Sequence, residues 1–132
     1  VAALKTLDIM EREKSWDRIT KTGLKIRNKW QQIADNYKLE ITHWGLPSLT
    51  GFTIESKNAL AYKTLITQEM LSKGYLAGNS VYVCIEHKQK ILDGYFNALY
   101  QTFALIKECE EGRDPNELLK GPVCHSAFKR LN

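Results

Sequence analysis

Leu39-Glu40-Ile41-Thr42-His43-Trp44-Gly45-Leu46-Pro47-Ser48-Leu49-Thr50-Gly51-Phe52-Thr53-Ile54-Glu55-Ser56 is the stretch that decides the fold class. Its first six residues alternate apolar and polar side chains, as a half-buried strand does. Gly45-Leu46-Pro47 breaks that run, and residues 48–56 resume an extended pattern through Leu49, Gly51, Phe52 and Ile54. Two extended runs joined by a short Gly/Pro turn predict a hairpin, and therefore antiparallel pairing.

Helical periodicity flanks this hairpin on both sides. Upstream, Trp16, Ile19, Gly23, Ile26, Trp30, Ile33 and Tyr37 recur at steps of three or four and draw one stripe along a helix. Trp16, Ile19, Trp30 and Ile33 are therefore expected in the core. Ser15 is a candidate N-cap, with Arg18 at the capping-box position. A separate apolar set, Leu4, Leu7 and Met10, predicts a second helical piece joined through a bend near residues 13–15.

Downstream, residues 58–73 read as a helix that ends at Gly74, a good residue for the position after a C-cap. Residues 75–80 read as a loop or short strand. Val81-Tyr82-Val83-Cys84-Ile85 is β-rich and apolar enough for a central strand. Leu92, Phe96, Leu99, Phe103 and Ile106 place a long helix over residues 89–110, stopped by Gly112. Asp114-Pro115-Asn116-Glu117 then offers an N-cap acid, proline at the first helical position and glutamate at the third. That short helix is expected to end at Gly121-Pro122, leaving a tail that finishes Phe128-Lys129-Arg130-Leu131-Asn132.

Strands segregate from long helices in this order. The expected fold is α+β, a small, mostly antiparallel sheet of about three to four strands with long helices on one face. Residues 1–112 form the domain and residues 113–132 a tail with a short helix.

Composition bounds the function. A chain of 132 residues, 43% apolar and 26% charged, is an ordinary single globular domain. The net charge of +4 is mild, and basic residues are interleaved with acids, as in Glu11-Arg12-Glu13-Lys14. A nucleic-acid footprint wants clustered charge, so no nucleic-acid partner is expected. No run of 18 apolar residues occurs and no signal peptide is visible, which argues against a membrane. Three widely spaced cysteines without a CxxC pair argue against a zinc site and for a reducing compartment, with the cytoplasm as the default. Val1 in place of Met, opening directly into a helical pattern, has the look of a cut through a longer chain.

The residues that could carry chemistry do not form a self-sufficient set. His87 follows the residue 81–85 run, with no cysteine nucleophile at useful spacing, and reads as a cap or hydrogen-bonding histidine at a helix start. His43 reads as lying on the polar face of its strand or near a partner domain. Cys124-His125-Ser126 reads as structural, because adjacent residues rarely form a working triad. There is no GxGxxG and no Walker loop, and no lysine stands out as a Schiff-base nucleophile. Glu110-Glu111 reads as a solvated helix end, and the aromatics fall on core stripes. Ala77-Gly78-Asn79-Ser80 is small and polar enough to approach a ligand, though a plain loop explains it as well.

Several segments in order resemble a known pattern. Gly45-Leu46-Pro47-Ser48-Leu49-Thr50-Gly51-Phe52 resembles the glycine-containing hairpin of the carboxy-terminal small domain of class III pyridoxal-phosphate (PLP) aminotransferases, on the glutamate-1-semialdehyde aminomutase-like branch. Thr67-Gln68-Glu69-Met70-Leu71-Ser72-Lys73-Gly74-Tyr75-Leu76 resembles the segment leading into that family's last strands. Val81-Tyr82-Val83-Cys84-Ile85-Glu86-His87 resembles its final strand, and Ala2-Ala3-Leu4-Lys5 its inter-domain helix. The resemblance spans about residues 1–110 and leaves out the tail after Gly112.

The resemblance implies a transferase or isomerase domain that closes over the cofactor cleft of a larger upstream domain and supplies part of the substrate-site wall. PLP would be held by that upstream domain, in a full-length homodimer acting on a small-molecule amino donor or acceptor. No catalytic, cofactor-binding or metal residue is assigned within these residues, and the isolated chain is expected to bind no PLP and to be inactive. Ala77, Gly78, Asn79 and Ser80 are the expected substrate-proximal residues, in positioning roles. No glutamate aligns in the loop before the last strand, where the aminomutases carry one, so another amino donor or keto acceptor stays open. The competing reading is a free-standing α+β ligand-binding or interaction module.

Overall fold

The computed structural model describes residues 1–126, and the end of the tail, residues 127–132, lies outside the described residues. Helix α1 spans Ala2–Glu13 and α2 spans Ser15–Asn36, followed by strands β1, Ile41–Leu46, and β2, Leu49–Ile54. Helix α3 covers Ala59–Ser72, strand β3 Ser80–Tyr82, helix α4 Gln89–Glu110, and a single 3₁₀ turn Pro115–Glu117. The sheet has the order β1-β2-β3 and is antiparallel throughout, with α2, α3 and α4 packed on one face. The expected α+β class and helix placement are what is observed.

Alternation decides which side chains face the helices. Register pairs Ile41 with Ile54, His43 with Phe52 and Gly45 with Thr50, and this row faces inward. Trp30 of α2 stands at its centre, with its ring 4.9 Å from that of Phe52 and stacked at 6.3 Å on His43. Phe52 in turn meets Phe103 of α4 at 5.8 Å. Trp30, Phe52, Leu65, Leu99, Phe103 and Ile106 are buried completely. His43 thus belongs to the inner row and not to a polar face, because β1 begins its inward alternation at Ile41. Burial, then the nearby Arg27 guanidinium, hold the His43 imidazole below its ordinary pKa, and its buried Nδ1 has no hydrogen-bond partner among the described residues.

The hairpin turns through two residues, Pro47 and Ser48, since Leu46 pairs with Leu49. Its tip is locked onto α2 by residues four apart on that helix. Gly23 lies so close to Pro47 that a Cβ there would stand 1.7 Å from the Pro47 carbonyl oxygen. One turn on, Arg27 donates from Nε to Thr50 Oγ1 at 2.6 Å and from Nη2 to the carbonyls of Trp44 (3.2 Å) and Gly45.

Three local expectations are corrected. The bend before α2 is present, but Lys14 makes it, in a left-handed conformation with φ 46°, and Ser15 is the first helical residue with no capping hydrogen bond. Trp16 is 48% exposed and Ile19 is half-buried, because α2 packs on the sheet only from Gly23 onward. The residue 81–85 run is not a central strand: β3 is three residues long and sits at the sheet edge, and β2 is central. Val83 still donates to the Ser48 carbonyl at 2.9 Å, after which the chain turns toward α4. Its apolar character serves the core from the edge, through Val81 and Val83.

The boundaries of α3 and α4 match, and the last turn is shorter than expected. Helix α3 ends at a Lys73 C-cap with Gly74 at φ 85°, and the Tyr75 and Gly74 amides return to the carbonyls of Met70 and Leu71. Asp114 accepts from the Asn116 amide and Pro115 opens the last turn, which stops at Glu117 and not at Gly121-Pro122. The following segment lies along α3: Gln68 donates to the Leu118 carbonyl at 2.9 Å and accepts from the Lys120 amide at 2.7 Å. The Cys124 amide donates to Thr64 Oγ1 at 2.9 Å, a structural contact like those expected of this tail.

Candidate functional site

A cavity of about 340 Å³ opens where the loop after α3, strand β3 and the first turns of α4 meet. Ala77, Ser80, Tyr82, His87 and Tyr95 line it together with apolar side chains from α2 and α4. Tyr75 fixes the loop there. Its hydroxyl approaches α4 where that helix carries Gly94, and a Cβ at that position would stand 2.3 Å from the oxygen. Gly94 costs helix propensity of about 1 kcal/mol relative to alanine, and the close Tyr75 contact accounts for it.

Two polar groups in this wall have defined hydrogen-bonding states. His87 Nδ1 accepts from the Cys84 amide at 3.2 Å, so in the neutral imidazole the proton sits on Nε2. His87 is therefore a hydrogen-bonding histidine just before a helix, as expected, and its free nitrogen is a donor and not a base. The Tyr95 hydroxyl accepts from Trp30 Nε1 at 2.9 Å, and burial pushes its pKa far above the ordinary range. Ser80 adds a rotatable hydroxyl. The arrangement can orient a polar group at the mouth of an apolar cavity, and it contains no nucleophile–base pair.

The loop residues singled out from sequence divide between two places. Ala77 and Ser80 line this cavity, whereas Asn79 lines a second one of about 300 Å³ with Trp44, Thr53 and Lys63. Gly78 faces α3, where a Cβ would meet Thr67 Oγ1 at 3.5 Å, an ordinary contact. Asn79 clamps the loop to β2 at two points: its carbonyl accepts from the Phe52 amide and its Nδ2 donates to the Phe52 carbonyl, both at 2.9 Å. Its side-chain oxygen and the second Nδ2 hydrogen remain for another partner.

Sequence reading also missed a polar cluster on the far side. Tyr62 donates to Glu110 Oε1 at 2.5 Å and Ser56 donates to the same oxygen at 2.7 Å. Glu110 is thus partnered and not merely solvated. These bonds, that from Tyr62 first, hold its carboxyl below the usual range, while burial and the Glu110 contact push the Tyr62 phenol up to about 12. The i,i+48 separation leaves no local pattern to find it by. Among the described residues, no group of three or more His, Cys, Asp or Glu side chains could hold a metal ion, and no helix is long and apolar enough to cross a membrane.

No family model matches the sequence, and no curated protein matches it. A solved structure does match: the PLP internal aldimine form of the FumI protein of Sphingopyxis sp. MTA144, with a TM-score of 0.72 over 89% of this chain at 14% identity. The fold is similar to that of part of the FumI chain. This chain spans 29% of the FumI chain, and at that identity the likeness establishes architecture alone. The expected α+β architecture is therefore shared with part of a protein that holds PLP.

PLP needs a lysine for its aldehyde, partners for its phosphate and an acid for its ring nitrogen. The wall of the cavity beside β3 holds no lysine, arginine or carboxylate. The second cavity has Lys63 alone among such groups. Neither lining fits the cofactor.

Proposed function

We propose that this chain is the small domain of a PLP-dependent aminotransferase or aminomutase, closing over a cofactor cleft that a larger upstream domain provides. The fold match carries the reading: nearly all of this chain superimposes on less than a third of a PLP protein. The cavity chemistry is consistent with it, since the loop and β3 offer orienting groups, and the chemistry itself is left to a cofactor held elsewhere. Of the loop residues, Ala77 and Ser80 line the wall nearest the substrate, a small amino donor or acceptor, while Asn79 reaches the neighbouring cavity and Gly78 faces α3. In this reading Ser80 positions a polar substrate and transfers no proton at neutral pH. The full-length enzyme is a cytoplasmic homodimer.

The test uses the longest natural polypeptide that contains residues 1–132. Purified as found, it should carry an absorbance band of a PLP Schiff base that shifts when an amino donor is added. A polypeptide that binds no PLP, even when reconstituted with it, contradicts the proposal and favours a free-standing binding module.

A further inference from the structure

The sheet has two faces, and the described chain covers one of them. Register places Thr42, Trp44 and Leu46 of β1, Leu49, Gly51 and Thr53 of β2, and Ser80 and Tyr82 of β3 on the other. None of these side chains is charged. Trp44, Leu46, Leu49 and Tyr82 are all exposed, Leu46 by 68% and Tyr82 by 78%. Trp44 lies over Gly51, where a Cβ would stand 2.2 Å from the ring, so the centre of this face is an indole laid along the sheet. Sheets that face water carry charged or polar side chains on the solvated side, and contiguous apolar patches rimmed by polar residues mark interaction surfaces. Tryptophan, tyrosine and leucine without charge have the composition of an interface centre.

We infer that this bare face is the surface against which the larger domain of the same polypeptide packs, with Trp44, Leu46, Leu49 and Tyr82 as its apolar centre. The occupant rests on the function proposed above. Two observations favour it. The FumI chain has more than two-thirds of its length outside the match, so a body of protein larger than this domain accompanies the fold there. The face is also continuous with the proposed substrate wall, because Ser80 belongs to both the outer row of the sheet and the cavity lining. A large domain seated on this face brings its own cleft next to that wall.

Thiol labelling of the longest natural polypeptide tests the assignment. Single variants Leu46→Cys and Tyr82→Cys are compared with Asn97→Cys on the exposed side of α4, and maleimide incorporation is followed peptide by peptide so that the native thiols are counted separately. Leu46→Cys and Tyr82→Cys should label at least about an order of magnitude more slowly than Asn97→Cys, with the difference gone in denaturant. Should a variant fail to fold, hydroxyl-radical footprinting of the unsubstituted polypeptide gives the same readout at Trp44 and Tyr82. Labelling of all three positions at one rate overturns the inference, as does protection that vanishes when an oligomer is diluted to folded monomer, which would make the occupant a second copy. Borohydride trapping of PLP on the same preparation separates the two claims: protection without trapped cofactor retains the covered face and sinks the functional reading, and trapped cofactor without protection sinks the face alone.

Discussion

Trp30 of α2 donates its indole N–H to the hydroxyl of Tyr95 on α4 at 2.9 Å, and both side chains are buried. One contact thus joins the helix that holds the hairpin to the helix that floors the cavity. Trp30→Ala should destabilise the protein by about 3–5 kcal/mol, the usual cost of emptying a buried tryptophan site. Trp16→Ala, on the same stripe but half-exposed, should stay within about 1 kcal/mol. Urea midpoints of the two variants check this. Equal shifts would mean that the core does not begin at Gly23.

Gly23→Ala is expected to destabilise, against the trend for a helix interior. Alanine normally gains about 1 kcal/mol over glycine there. Here the methyl meets the Pro47 backbone, and overpacking of this kind costs about 1–3 kcal/mol. A raised melting temperature for Gly23→Ala would show that the hairpin tip is free to move away from α2.

The Tyr62–Glu110 contact should leave a mark at both ends of the pH range. Glu110 has its folded pKa below the ordinary 4.5, so its contribution is present above that value and is lost as pH falls through the folded one. Tyr62 has its folded pKa raised from 10.0 to about 12, so its contribution is full below pH 10 and is lost as pH rises toward 12. Glu110→Gln should flatten the acid limb of the stability profile while the basic limb persists. Melting temperatures across the pH range measure both, and an unchanged acid limb would remove Glu110 from the account.

Within the loop, Asn79 and Ser80 should behave differently. Removing the Asn79 amide deletes a hydrogen bond to the Phe52 carbonyl, so Asn79→Ala should lose about 0.5–1.5 kcal/mol of stability whatever it does to activity. Ser80 lines the cavity and has no side-chain bond within the described chain that its loss would break. Ser80→Ala should lower kcat/KM of the full-length enzyme with the melting temperature and cofactor content unchanged. Normal kcat/KM in Ser80→Ala would take this residue out of the substrate wall.

Local chemistry explains which parts of this structure were legible in the sequence. The α4 stripe and Gly112 fix that helix because every residue of the stripe is buried. The hairpin was legible because its turn residues interrupt an alternating pattern. Trp16 misled because periodicity marks a face and not how far the opposing surface extends. The residue 81–85 run misled because central and edge strands differ only in what lies beyond them, a tertiary property. Asn79 announced a donor and an acceptor, yet the choice of Phe52 as partner depends on β2 lying alongside. The cavity was invisible for the same reason, since Ser80, His87 and Tyr95 meet only once β3 reaches the sheet edge.

Borohydride reduction of the longest natural polypeptide containing residues 1–132, followed by peptide mapping, tests the central claim most directly. The account predicts one stoichiometric phosphopyridoxyl adduct, on a lysine outside these residues. No adduct, or a saturable adduct on a lysine within residues 1–132, would contradict it.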